Sequence, residues 1–427
     1  MIKTNRSIKT ILFVGDVLLL YWSLLVTLSL RYWSFPGSVL WENHKWPFFF
    51  VNALWILIFY IAGLYDLGKI TPNSKILHIF KTMLVAAGVA VLMFYFVPNF
   101  NITPKTNLLI DAVIASITIW LWRKAIKKFI LKSSKIKIFF IGETKEVSEF
   151  ADFVKDNPQF GYKVLDSASH TDVIVTPAHA RQNSEIITTL YDMILKGKTI
   201  VDFDRFYESI TGKIPVSTIN KVWFLENLIE INKQKFEIIK RWLDVTLAII
   251  LFIPYSIILP FVATLIKLTS KGDIFYKQKR IGKNNKTFEI IKFRTMFNNA
   301  EKNGAVWADK NDKRITFFGN ILRKTRIDEL PQLWNVLKGE LSFIGPRPER
   351  PEFIKDLTEK IPHYSMRHLV KPGLSGWAQV NYPYGASVDD ANKKLQYDLY
   401  YVKNRSFALE LSIALKTILT LLKREGR

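Results

Sequence analysis

Along the first third of the chain, apolar residues fall in four long blocks, about Ile11–Leu30, Trp46–Tyr65, Leu77–Val97 and Leu108–Trp122. Each approaches the roughly 20 residues a helix needs to cross a bilayer's hydrocarbon core. The pattern therefore predicts a four-helix transmembrane region over residues 1–132. The first block is long and lacks a small-residue cleavage site, which reads as an anchor and not a signal peptide. From Lys135 the pattern shifts to short apolar runs. KIKIFFIG, Asp172–Pro177 and Thr199–Phe203 read as strands, with Glu143–Asp156 and Ser184–Lys196 as helices. Strands alternating with helices predict a parallel sheet with crossover helices. This is a Rossmann-like α/β domain over residues 133–232, with Ile214–Leu228 as its exit linker. The remainder, residues 233–427, reads as mostly α-helical.

That last segment opens on a fifth apolar block, about Trp242–Ile266, interrupted by Pro254 and Pro260. A proline inside a helix removes a hydrogen bond and clashes with the preceding turn. Lys235, Lys240 and Arg241 precede the block and Lys267 and Lys271 follow it. Cations on both sides favour both ends in the cytoplasm, so the block is expected to dip into the membrane and return, the alternative being an ordinary kinked fifth span. Ser256 is a candidate to satisfy backbone groups at the bend. Around the four earlier spans, Lys3, Arg6 and Lys9, then Lys69 and Lys75, then Arg123, Lys124, Lys127, Lys128 and Lys132 alternate with the poorer loops of Arg31 and Lys45, and of Lys105. By the same bias both ends of this region are cytoplasmic. Asp16 and Asp111 fall within spans, where the ordinary reading is a hydrogen bond between helices and the functional one a substrate or proton path.

Charge and composition narrow the class. The 427 residues include 60 Lys and Arg against 37 Asp and Glu, a formal charge of +23. Such an excess suits nucleic acid, an anionic membrane surface or phosphorylated substrates. A hydrophobic content of 49%, with 12 Trp and 31 Phe, favours the membrane. The cations accompany spans and form no groove-reading helix, so no nucleic-acid partner is expected. There is no Cys, which excludes disulfides, thiol nucleophiles and thiolate metal sites. The six His form no HExxH pair. The turn after the first α/β strand, IGETKEVSEF, has one glycine where a dinucleotide site needs three. That domain therefore reads as regulatory or structural.

The candidate chemistry lies in KTRIDELPQLWNVLKGELSFIGPRP, Lys324–Pro348. Asp328 and Glu329 stand just before Pro331, a residue suited to a helix's first turn. Leu330, Leu333, Trp334 and Leu337 recur at helical spacing as a stripe to be buried, and Gly339 ends it. Arg323, Lys324 and Arg326 precede the acids, and Arg347 and Arg350 follow. An acid pair ringed by cations can hold a metal ion and a phosphate; it can also be a capped surface helix. Arg280 and Arg323 suit either a diphosphate or lipid headgroups. Tyr382 and Tyr384 suit a base or sugar, or a structural turn. His363 and His368 read as surface or packing residues, and Phe407–Lys423 as an amphipathic helix.

Through FYKQKRIGKNNKTFEIIKFRTM, the Asp328 region, KPGLSGWAQVNYPYGAS and LQYDLYYVKN, the chain resembles the bacterial polyprenyl-phosphate sugar-1-phosphate transferases of the large membrane-anchored type. The resemblance is strong from about Lys240 onward and weaker over the spans and the α/β segment. It implies transfer of a sugar-1-phosphate from a UDP-sugar to undecaprenyl phosphate, with release of UMP, to begin exopolysaccharide or O-antigen assembly. It implies Asp328 as nucleophile, with Glu329 helping to bind Mg²⁺ beside it. By the same likeness Lys292, Arg294, Arg347 and Asp398 are expected to bind substrate, and Arg323, Arg326 and Arg350, as cations flanking the acids, are expected to do so with them. Gly345, Pro346, Arg347 and Pro348 form the phosphate motif. It further implies a multi-pass protein of the bacterial inner membrane with its catalytic domain facing the cytoplasm. The partners implied are the UDP-sugar, undecaprenyl phosphate and membrane lipid, with a homodimer possible. The family breaks its re-entrant helix at Ser-Pro, where this chain has Ser256-Ile257 and prolines three residues to either side. The competing functions are a membrane-bound sugar-nucleotide dehydratase and a non-enzymatic scaffold. The first needs a Tyr-x3-Lys pair, and the match at Tyr65–Lys69 lies at a span's end.

Overall fold

The computed structural model describes residues 3–65, 76–96, 105–132, 135–142, 144–177, 180, 183–228, 233–297, 314–383, 385 and 387–422. Lys69, Lys75, Glu143 and Tyr384 lie outside them, as do the side chains of Lys3, Arg6, Lys105 and Lys132. The chain divides into two compact units, Met1–Thr211 and Gly212–Arg427.

In the first unit, α1 (Lys3–Tyr32), α2 (Ser38–Ile61), α3 (Ile76–Phe96) and α4 (Lys105–Lys132) pack side by side, α1 against α4 along its length. Ser7–Tyr32, Ser38–Ile61 and Leu77–Tyr95 are long and apolar enough to cross a membrane, as is Gln234–Thr269 in the second unit. Leu20, Leu24, Leu28, Trp55, Phe59 and Ile119 fill the interior while Leu18, Leu84 and Tyr95 face outward. An apolar exterior over an apolar interior is what a bilayer solvent selects. The two intramembrane acids join helices. Asp16 takes the Arg123 guanidinium at 2.6 Å, which also donates to Leu64 O at 2.5 Å, and Asp111 accepts from Ser23 Oγ at 2.6 Å. A buried acid without such a partner would cost several kcal/mol, about 2.5–3.5 on insertion scales. The ordinary reading of both acids holds.

The same unit continues through β1 (Ile136–Phe140), α5 (Lys145–Asp156), β2 (Tyr162–Val164), β3 (Val173–Thr176), α6 (Ser184–Leu195), β4 (Thr199–Asp202) and α7 (Phe203–Thr211). The sheet is parallel in the order β2-β1-β3-β4, with β3 central and buried along its length. Three of the four strands were legible as apolar runs. Tyr162–Val164 was not, because three residues are too short for an alternation to show.

The second unit holds α8 (Lys221–Asn227), α9 (Gln234–Thr269), β5 (Phe275–Ile281), β6 (Thr287–Phe293), α10 (Phe317–Thr325), α11 (Leu333–Lys338), β7 (Ser342–Ile344), α12 (Pro351–Lys360), β8 (Gly373–Ser375), α13 (Trp377–Asn381), α14 (Val388–Asn404) and α15 (Phe407–Leu422). It is helical, with an antiparallel β5–β6 hairpin and a short parallel β7–β8 pair. The stretch expected as an exit linker is core here. Ile214, Val216, Ile219, Trp223 and Phe224 pack with Leu357, Ile361, Tyr364, Leu395 and Leu399. Its apolar residues lack a clean period, which made it look like a connection.

Helix α9 runs unbroken for 36 residues with Pro254 and Pro260 inside it. The Ser256 hydroxyl donates to Phe252 O, not to a carbonyl that either proline leaves free. Two of its flanking cations turn inward. Lys240 pairs with Glu410, and Arg241 donates to Val336 O at 2.6 Å and Leu337 O at 2.7 Å, capping the end of α11. Three residues on, Asp244 accepts from Ser342 Oγ at 3.2 Å and Phe343 N at 3.3 Å, where β7 begins. Helix α9 thus grips both sides of the turn at Gly339. Helix α15 lays Leu409 and Ile413 against Tyr401 and Val402 and leaves Leu411 and Ile418 exposed.

Candidate active site

Three segments converge around Glu329. The first is the end of β6, which presents Lys292. The second follows α10. Arg326 closes that helix in a left-handed conformation (φ 59°) and donates its N–H to Arg323 O. The chain then enters a 3₁₀ turn, Ile327–Gln332, with Asp328, Glu329 and Pro331 inside it, and α11 begins only at Leu333. The expected helix N-terminus at Glu329–Pro331 is therefore corrected: a tight turn precedes a six-residue helix, and the acids sit within the turn. The Arg326 bend explains why, since a left-handed residue cannot propagate either helix. Gly339, at φ 85°, ends α11 as expected. Of the apolar stripe, Leu333 is buried and Trp334 is exposed, with Phe252 of α9 its ring neighbour. Asn335 takes Trp334's expected place in the core. Its amide donates to Glu289 O at 2.7 Å and accepts from Ile291 N at 3.2 Å, fastening α11 to the outer edge of β6.

The third segment is the turn after β7, Gly345-Pro346-Arg347-Pro348. A Cβ on Gly345 would lie 2.4 Å from the Lys371 carbonyl oxygen, so only glycine lets the two backbones approach. The turn aims Arg347 back at the acids.

The two carboxylates are treated unequally. Glu329 Oε1 accepts from Arg347 Nη2 at 2.9 Å and Lys292 Nζ at 3.0 Å, with Arg326 Nη1 at 3.7 Å. Burial acts to raise its pKa, but Lys292, Arg347 and Arg326 together hold it well below the usual glutamate range. Asp328 is also buried, yet its Oδ1 has no hydrogen-bond partner among the described residues. Burial, then the charge of Glu329, push its carboxyl up to about 6 against the pull of Lys292, Arg323 and Arg326. The two neighbours thus differ: the cations gather on Glu329 Oε1, and Asp328 lies buried beside it. Burial lowers Lys292 more than Glu329 supports it, and the Glu329 charge raises Arg347.

Other residues expected at the site lie around it. Arg323 donates from Nε to Thr295 Oγ1 at 2.9 Å and acts on Asp328 through its charge. Arg294 is buried and reaches Ser270 O at 2.8 Å and Ser270 Oγ at 2.9 Å, behind the end of α9. Arg350 lies 3.6 Å from Glu352 and over the Phe353 ring. Asp398 is buried and meets the Arg367 guanidinium at 2.7 Å. So Lys292, Arg326 and Arg347 touch the acid pair and Arg323 stands close, whereas Arg294, Arg350 and Asp398 meet protein groups elsewhere. For those three, order in the sequence did not reveal the protein groups they meet.

Comparison with known proteins sets this geometry in a family. Residues 235–424 match the family model described as bacterial sugar transferase. A UDP-N-acetylgalactosamine-undecaprenyl-phosphate N-acetylgalactosaminephosphotransferase of Aeromonas hydrophila is 43% identical over 219 residues, 51% of each chain. An uncharacterized sugar transferase of Bacillus subtilis (strain 168) is 42% identical over 189 residues, covering 44% of this chain and 90% of the relative. A further uncharacterized sugar transferase, from Haemophilus influenzae (strain ATCC 51907 / DSM 11121 / KW20 / Rd), is 30% identical over 354 residues, 71% of this chain and 73% of the relative. The chain belongs to the bacterial sugar transferase family. The match to the Aeromonas protein spans about half of that relative's length.

The bacterial sugar transferase region runs from α9 through α15 and contains every residue at the acid pair. Sequence reasoning missed Asn335 and Arg367 and read Arg241 only as a cation flanking the fifth apolar block; all three bond main-chain groups. Arg280, which it weighed, donates to Pro348 O at 3.0 Å and so braces the Arg347 turn. Tyr382 donates to Asp390 at 2.8 Å, and His368 bonds Asn285 at 2.6 Å, both packing roles.

Proposed function

We propose that this bacterial sugar transferase moves a sugar-1-phosphate from a UDP-sugar to undecaprenyl phosphate by way of an aspartyl phosphosugar. Asp328 attacks the sugar-bearing phosphorus, the bond from that phosphorus to the bridging oxygen breaks, and UMP leaves with the bond's electrons. An oxygen of the lipid phosphate then attacks the same phosphorus and frees the Asp328 carboxylate. The observation that supports this most is the unequal pair: among the described residues Asp328 has a buried oxygen without a partner, inside a ring of cations whose direct contacts go to Glu329. A carboxylate needs no general base once ionised, and its obstacle is repulsion by the diphosphate. Arg347, Lys292 and Arg326 supply the opposing charge at fixed positions.

The residues present fit Mg²⁺. Asp328 Oδ1 is a hard oxygen ligand without a partner among the described residues and Glu329 is adjacent, in keeping with an ion that takes one or two carboxylates and fills its shell with water and phosphate. Asp328 and Glu329 would hold it, and when bound it would neutralise phosphate oxygens. We read α9 as re-entrant, its continuous helix bending at Pro254 and Pro260 with basic residues at both ends, which would bring the acid pair to the level of a lipid phosphate on the cytoplasmic side of the inner membrane. The relatives' names point to undecaprenyl phosphate and to UDP-N-acetylgalactosamine or UDP-glucose. The test is UMP release from these donors by the full chain with undecaprenyl phosphate and Mg²⁺. Turnover by Asp328→Asn equal to the parent's would refute the reading.

A further inference from the structure

Arg367 lies outside every motif and touches neither carboxylate. It sits in the 3₁₀ turn Tyr364–Leu369, entered through His363 in a left-handed conformation (φ 61°). Its side chain is 5% exposed and meets three groups. Nη2 lies 2.7 Å from Asp398 Oδ2 and donates to the main-chain carbonyl of Arg347 at 2.9 Å, while Nη1 donates to Tyr364 Oη at 2.7 Å. The carbonyl it grips belongs to the residue whose side chain reaches Glu329. The same turn is pinned from the other side, where His368 Nδ1 bonds Asn285 at the tip of the β5–β6 hairpin.

From this geometry we infer that Arg367, held by Asp398, is a positioning residue that fixes the Arg347 main chain and so aims the Arg347 guanidinium at the acid pair. The inference rests on the reading of that pair as the reacting centre. The Gly345–Pro348 turn is tied at its start, where Gly345 N–H donates to Ser375 O at 2.8 Å and Gly373 N–H to Pro346 O at 3.0 Å, and its second half is held through the carbonyls of Arg347 and Pro348. Two of its four residues are prolines, which lack an N–H, and Arg280 braces the Pro348 carbonyl while Arg367 braces that of Arg347. Only a planar, multidentate cation reaches a carboxylate, a carbonyl and a phenol at once, so lysine cannot take its place. Asp398 supplies the counter-charge that lets the guanidinium remain buried. This gives Asp398 a role at second hand and removes it from the substrate contacts.

The experiment is a set of double-mutant cycles on the full chain in detergent or nanodiscs, with UDP-N-acetylgalactosamine and UDP-glucose as donor probes, Mg²⁺ and undecaprenyl phosphate. Arg367→Lys and the near-isosteric Asp398→Asn are each made alone and with Arg347→Ala. Thermal melts establish that each variant is folded. Alone, each is expected to lower kcat/KM for the donor by about 10- to 100-fold, the scale of a misplaced catalytic contact. With Arg347 already removed, the same changes should cost no more than about twofold, since the group they position is gone. Asp398→Glu should recover part of the loss. Equal losses in both backgrounds would overturn the inference, because Arg367 would then act by another route. If Asp328→Asn instead keeps the parent's turnover, the catalytic reading fails.

Discussion

Arg347 Nη2 donates to Glu329 Oε1 at 2.9 Å, on the same oxygen that Lys292 Nζ reaches at 3.0 Å, and neither makes a hydrogen bond to Asp328 next door. Two adjacent acids thus differ in what they are free to do. Glu329 is the fixed anion around which the cations assemble. Asp328 is buried beside it with an oxygen open.

Removing the fixed anion should therefore damage more than catalysis. Glu329→Gln leaves Lys292, Arg326 and Arg347 facing one another without their shared counter-charge. Leaving such donors unsatisfied costs about 1–3 kcal/mol, toward the lower end here because Arg347 is 39% exposed at its side chain. The thermal midpoint is expected to fall with activity, whereas Asp328→Asn should leave it unchanged or raised, since it removes a buried charge of the same sign as its neighbour's.

The tie between the membrane helix and the acid pair makes a second prediction. Arg241 caps the carbonyls of Val336 and Leu337 at the end of α11. Arg241→Met keeps the stem and removes the cap. Donor kcat/KM should drop by roughly tenfold with a stability loss of about 1–3 kcal/mol. A variant as active and stable as the parent would show that α9 does not set the position of α11.

His368 predicts a pH dependence of stability. Burial, then the charge of Arg367, lower its pKa from about 6.5 to about 3 in the folded chain. The unfolded chain takes up that proton below about pH 6.5 and the folded one only near 3. Stability from this group is thus complete above pH 6.5 and is lost as pH falls toward 3, by at most about 1.4 kcal/mol per pH unit. His368→Asn keeps a donor for Asn285 but cannot titrate. Its melting temperature should decline less steeply on acidification than the parent's; parallel declines would remove His368 as the cause.

The chain contains no Cys, so its topology can be read with single introduced thiols. If α9 dips and returns, Gln234→Cys and Lys271→Cys will both react with a membrane-impermeant maleimide from the cytoplasmic side. Labelling of the second from the opposite side alone would mean that α9 crosses.

What the sequence made visible follows from which interactions leave a period. The spans and three of the four parallel strands are repeating apolar patterns, and the stretch from Asp328 to Pro348 is a local run of unusual residues. The 3₁₀ turn was hidden because it depends on Arg326 adopting a left-handed bend, a choice made by packing. Trp334 and Asn335 exchanged their expected places because α11 is too short for helical spacing alone to fix its buried face. The links from Arg241, Asn335 and Arg367 to main-chain carbonyls and amides join residues 44 to 96 positions apart in four cases and 20 apart in the fifth, and leave no mark on composition. Asp398 was named from the sequence, but its pairing with Arg367 was not.

The most direct test of the central claim is intact-protein mass spectrometry of the full chain incubated with a UDP-sugar and Mg²⁺ but without lipid acceptor. A covalent sugar-phosphate is expected on the parent protein, localised by peptide mapping to Asp328, discharged by undecaprenyl phosphate and absent from Asp328→Asn. A parent that turns over with lipid yet never acquires the adduct, or an Asp328→Asn variant that acquires it equally, would contradict the account.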